Sequence, residues 1–157
     1  MTSNKIYQYW VPVFLWVIFI FWMSTDKFSP QNTSSIVEPI FHFLMPKSSE
    51  QTLSMSHMFF RKIAHLIEYF VLGFLLFRAF RGDSKELRIQ QWTSSMIVLM
   101  LCAASDEFHQ YFVSARTASS VDMLIDLTGG TLALVFRSLL LLRGRKLIKS
   151  NWMTHKK

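Results

Sequence analysis

"IYQYWVPVFLWVIFIFWMST", Ile6 to Thr25, runs for twenty residues without a charge. An α-helix rises 1.5 Å per residue, so the stretch is about 30 Å long, the thickness of a bilayer's hydrocarbon core. Trp10 and Trp22 stand near its two ends, where the aromatic belts of a spanning helix lie. A cleaved signal peptide would open on a basic patch and close on small residues. Here Lys5 is the only early basic residue and the run closes on Phe21, Trp22, Met23, Ser24 and Thr25, so an uncleaved transmembrane helix is expected.

Three more apolar runs follow, Ile63 to Phe80, Ile89 to Ser105 and Val121 to Leu142, the first and last of them broken by ionisable residues. With 51% hydrophobic and 15% aromatic residues in 157, the composition belongs to the membrane class. The expected fold is all-α: a polytopic membrane protein of four transmembrane helices in one domain, residues 1–157, with a basic tail over 143–157. The longest connection, Asp26 to about Met58, is rich in Ser, Thr, Gln and Pro. Within it "IVEPIFHFLM" puts Ile36, Val37, Ile40, Phe41, Leu44 and Met45 on one apolar face, which suggests a short interfacial segment or a loop over the bundle. Pro39 and Pro46 limit any helix there to about two turns.

The net charge of +7 and pI near 9.8 do not point to nucleic acid, because the basic residues cluster at helix ends rather than on a soluble module. They report orientation instead. Lys5, the 78–88 connection and the 143–157 tail together carry eleven Lys and Arg; Lys27, Lys47, Arg61, Lys62 and Arg116 on the other side make five. By the positive-inside rule both termini are cytoplasmic, and the tail is expected to rest on anionic lipid. Arg137, inside the fourth run, is expected to snorkel. The single cysteine, Cys102, allows no intrachain disulfide and is expected to pack.

The polar residues that interrupt the apolar runs are concentrated on the outer side. In "FFRKIAHLIEYFVLGF" Lys62, His65, Glu68 and Tyr69 share one helix face. Asp106, His109 and Gln110 share another, with Glu107 turned about 100° away. Asp122 and Asp126 are one turn apart, and their stripe continues through Gly129, Gly130 and Ala133, small residues that let another backbone come close. All three faces fall at one depth. Charges inside a membrane cost on the order of 3 kcal/mol each on insertion scales, so they pair, face water, or serve a function. Bundle glue is one role, with Arg61, Lys62 and Arg116 neutralising the carboxylates; a functional site is the default for so many groups. The "HLIE" spacing of His65 and Glu68, repeated in reverse by Asp106 and His109, can present metal ligands. Lys62 and Arg116 nearby would repel a divalent cation, so no metal or cofactor is expected. Cations beside carboxylates suit an anionic headgroup plus an acid or base. On this reading His65, Glu68, Asp106, Glu107 and His109 are acid-base or catalytic candidates, while Lys62, Tyr69, Gln110, Arg116, Asp122 and Asp126 bind the ligand.

"RKIAHLIEYFVLGFLLFRAF" (Arg61 to Phe80) and "SDEFHQYFVSARTASSVDMLIDLTGG" (Ser105 to Gly130) resemble the two signature blocks of the VanZ-like membrane proteins, over about residues 61–134. The family's polar positions fall on Lys62, His65, Tyr69, Asp106, Glu107, Gln110, Arg116 and Asp122. Two departures stand out: Asp126 where the family usually has Asn, and Ala115 in place of the Gly before the loop Arg. Asp126 adds acidity and could change a ligand or pair with Lys62. The resemblance implies a small integral membrane protein of the cell envelope, and the founding member is associated with low-level resistance to the glycopeptide teicoplanin. The expected function is an outward-facing site for an anionic envelope lipid or lipid-linked precursor. The alternatives are a membrane-embedded acid-base enzyme acting on a lipid headgroup and a small transporter. A transporter would need a polar path across the inner half of the third run, which offers only Gln and Ser/Thr.

Overall fold

A computed structural model describes residues 3–28, 39, 43, 49–84, 86–112 and 119–154. Among them the chain forms four α-helices, a short 3-10 turn at Asp26–Phe28, and no strand. The helices are α1 (Ser3–Met23), α2 (Glu50–Arg81), α3 (Ile89–Tyr111) and α4 (Ser120–Thr154). Length and composition suit α1, α2 and the Ser120–Gly144 part of α4 to crossing a membrane. At 23 residues α3 also reaches about 34 Å, but Gln90, Gln91, Ser94 and Ser95 at one end and Asp106 to Gln110 at the other make it less apolar.

Two helices are longer than expected. The connection after α1 was read as loop to about Met58, but α2 begins at Glu50. Ser49 caps it, its Oγ accepting from the Thr52 N–H at 3.3 Å, and Glu50 adds an acidic group to the first turn. At the other end of the chain, the backbone of the basic tail is helical as far as Thr154. Of the proposed interfacial segment, only Pro39 and Phe43 are described, both helical and exposed; the rest lies outside the described residues.

The helices alternate in direction from α1 to α4, which leaves α2 and α4 parallel and in the most extensive contact. Glycines permit it. A Cβ added at Gly129 would stand 2.3 Å from the Leu66 carbonyl oxygen, and one at Gly73 would stand 2.7 Å from the Gly130 oxygen. The small-residue stripe expected on α4 therefore does meet a backbone, and α2 supplies a matching glycine.

Polar and apolar surface are distributed as hydrocarbon requires. His65, Asp106, Gln110, Asp122 and Asp126 are buried, while Phe14, Leu15, Ile18, Leu101, Leu132 and Phe136 are exposed. In water such a surface would be a large apolar patch; in lipid it is the solvated face. Between the ends, Leu72, Leu76 and Phe77 of α2, Leu99 of α3 and Leu134 of α4 form a fully buried apolar layer. On its far side lie Gln91, Ser95 and Ser138, the last accepting a hydrogen bond from Trp92 Nε1 at 2.9 Å. Cys102 is half-buried against this core, and the Arg137 guanidinium lies over the Phe74 ring, 4.5 Å from its centroid.

Candidate functional site

The start of α2, the end of α3 and the start of α4 meet at one end of the bundle, with the end of α1 beside them. Their buried stripes run His65–Tyr69, Asp106–Gln110 and Asp122–Asp126, each spaced by four residues so that it turns with the helix, and half-buried Arg61 and Lys62 stand next to the first of them on α2. The resulting site has two tiers.

In the upper tier Asp122, with no solvent exposure, accepts from Arg61 Nη2 at 2.7 Å and from Lys62 Nζ at 3.3 Å. Both cations keep part of their side chains exposed, 26% and 36%. Two positive charges thus share one carboxylate, leaving an excess of one. In the lower tier His65 Nδ1 and Asp126 Oδ1 are 3.1 Å apart, both residues buried. Across from them Asp106 accepts from the Ser24 hydroxyl through Oδ1 and from Gln110 Nε2 through Oδ2, the latter at 2.9 Å. One ligand atom from each of His65, Asp106 and Asp126 lies within 4.8 Å of the other two. Tyr69, one turn beyond His65, is wholly buried and its hydroxyl has no hydrogen-bond partner among the described residues.

Glu107 is turned away from this centre, as its position on the helix requires. Its Oε2 accepts from the Ser119 N–H at 2.5 Å and so ties the end of α3 to the start of α4. His109 packs edge-on against Phe21 at 6.0 Å. Glu68 offers its backbone carbonyl to Trp16 Nε1 at 2.9 Å and stands outside the His65–Asp106–Asp126 group. Arg116 lies outside the described residues. Of the two roles open to Asp126, a changed ligand or a pair with Lys62, the pair does not form: Lys62 reaches Asp122 and Asp126 takes His65. The geometric reason is that Lys62 and Asp122 stand about one turn nearer the start of their parallel helices than His65 and Asp126, so equal levels pair.

Sequence reasoning missed Ser24 and Ser119, serines with no spacing signal, and gave Arg61 only the role of a counter-charge. The opposite end holds a recess of about 230 Å³ lined by Phe80, Arg81, Ser84, Arg88 and two glutamines. Its arginines are engaged, Arg81 Nε with the Ser84 carbonyl at 2.6 Å and Arg88 with Glu86 at 2.7 Å. Nearby, Lys5 and Tyr9 of α1 donate to Asp83 in the 2–3 connection at 2.5 and 2.7 Å and hold its carboxyl below the usual range.

The profile of the VanZ/LLP1 family matches residues 9–141, which span all of the site and the greater part of every helix except the tail of α4. The chain belongs to the VanZ/LLP1 family. The match extends past the two signature blocks to α1, and Ser24, the residue that follows α1, is where this VanZ/LLP1 chain adds a hydroxyl to the site. Seven of the eight positions carried over from the family pattern are described: Lys62, His65, Tyr69, Asp106, Glu107, Gln110 and Asp122. All seven lie at this one end of the bundle. No curated protein and no solved structure matches the chain.

Proposed function

We propose that this VanZ/LLP1 membrane protein holds an anionic phosphate headgroup of the cell envelope, on a bulk lipid or a lipid-linked wall precursor, at an outward-facing site. The observation that carries this is the pairing of Arg61 and Lys62 with the single carboxylate of Asp122, which leaves one positive charge in excess at the rim. Arg116 belongs to the 113–118 connection between α3 and α4, and would add a guanidinium fork suited to phosphate. Exposed Phe59, Phe60, Phe108, Tyr111 and Phe112 surround that end, the aromatic composition of a headgroup-level belt. The eleven-to-five distribution of Lys and Arg supports cytoplasmic termini and an external site. An external site fits the family's association with glycopeptide resistance, since glycopeptides act outside the membrane.

The buried His65–Asp126 pair favours a second reading, acid-base chemistry on the bound headgroup. A carrier is disfavoured by the apolar layer of Leu72, Leu76, Leu99 and Leu134 beneath the site. The test is binding of the full chain in detergent to polyprenyl phosphate, phosphatidylglycerol and phosphatidylcholine. Both anionic probes should bind in preference to phosphatidylcholine, and Lys62→Gln or Arg116→Gln should each weaken them about fivefold, as about 1 kcal/mol per basic residue implies. Equal binding of all three lipids, or no effect of either substitution, contradicts the proposal. Turnover of a bound probe that is lost in His65→Ala with binding retained would establish the enzyme.

A further inference from the structure

We propose that His65, Asp106 and Asp126 form a binding site for a first-row divalent cation, of the Zn²⁺ or Mn²⁺ type. Three helices contribute one ligand each, α2, α3 and α4, and the ligand atoms lie within 4.8 Å of one another. Nitrogen and oxygen donors at about 2.0–2.2 Å from a common ion stand up to about 4.4 Å apart, so closing the site requires only small side-chain movements. The 3.1 Å between His65 Nδ1 and Asp126 Oδ1 is already that of two neighbouring ligands.

Asp106 and Asp126 are both without solvent exposure, and among the described residues neither has a Lys or Arg partner. Lys62, whose charge would oppose a cation here, is turned to Asp122 together with Arg61. Two carboxylates with a neutral imidazole carry a charge of −2, which a divalent ion cancels.

Asp126 Oδ2 and Gln110 Oε1 are buried without a hydrogen-bond partner, and so is the Tyr69 hydroxyl one turn from His65. Gln110 is held at the cluster by its amide bond to Asp106. Orphaned acceptors in a low-dielectric site are costly, and a cation with a bound water satisfies all three. An imidazole with two carboxylates suits Zn²⁺ or Mn²⁺ better than the all-oxygen sites of Ca²⁺ and Mg²⁺.

The experiment uses the purified full chain, stripped with chelator and titrated with Zn²⁺ or Mn²⁺ alone, without lipid. One equivalent should bind and raise the melting temperature, since the ion joins three helices. Pulsed EPR of the Mn²⁺ form should show coupling to an imidazole nitrogen. Asp126→Asn should weaken binding by more than the roughly 10–100-fold typical of losing an outer-shell partner. Binding well below one equivalent, no nitrogen coupling in the unaltered protein, or equal affinity in a folded Asp126→Asn variant overturns the site. The first two readouts do not depend on any variant folding. Because no lipid is present, failure here leaves the anionic-headgroup reading standing, and failure of that reading leaves this one.

Discussion

Asp122 and Asp126 stand one turn apart on α4, equally buried, with different partners: two cations for the first and an imidazole for the second. Burial makes the dependence asymmetric, because Arg61 and Lys62 can reach water while Asp122 cannot. Lys62→Gln should therefore cost at most about 1 kcal/mol, with Arg61 still bound to Asp122. The Arg61→Gln/Lys62→Gln double variant leaves a buried carboxylate unpaired and should cost about 3–5 kcal/mol. Thermal unfolding in detergent checks both, and additive small effects would show that Asp122 is not dependent on the pair. Periodicity identified nearly every residue of the site by placing it on a face. It did not identify the partners, since helical spacing fixes a residue's angle about its own axis but not its level against the next helix. A Lys62–Asp126 pair stayed open as one alternative for that reason, when the level of Lys62 is that of Asp122.

At the scale of elements, the contact between α2 and α4 is set by glycines whose neighbours differ in kind. A Cβ at Gly129 meets the Leu66 carbonyl, which is backbone and cannot turn away; a Cβ at Gly130 meets the Leu99 methyls at 2.7 Å, which can rotate. Gly129→Ala should cost about 1–3 kcal/mol as an overpacked contact and Gly130→Ala distinctly less, read as melting temperatures of the two variants. Equal melting temperatures would mean that the helices are not held this close. The four helices and the small-residue stripe were legible from apolar runs and spacing. The start of α2 was not, because its cap, Ser49 followed by Glu50, sits inside a Ser-, Thr- and Gln-rich stretch where composition says loop and only the local capping pattern says helix. The packing role of Gly73 was not legible either, since one glycine in an apolar run shows no contact until the opposing helix is in place.

For the whole molecule, burial of carboxylates, imidazole and amide at one end, beneath an apolar exterior, follows from the environment of lipid: each group must find a partner inside because none is available outside. The family's polar positions collect at that end, and the opposite end carries the basic connection and tail. The proposed headgroup recognition therefore belongs to the end of the bundle that carries Phe112 and Lys62, and not to the arginine-lined recess at the other end. The most direct test is photo-crosslinking in native membranes with a benzophenone amino acid at Phe112, compared with one at Phe80 in the recess. The account predicts adducts with anionic or lipid-linked phosphate at Phe112 that decline in the Lys62→Gln background, and fewer such adducts at Phe80. Adducts of the same lipids in equal yield at both positions, or at Phe80 alone, would contradict it.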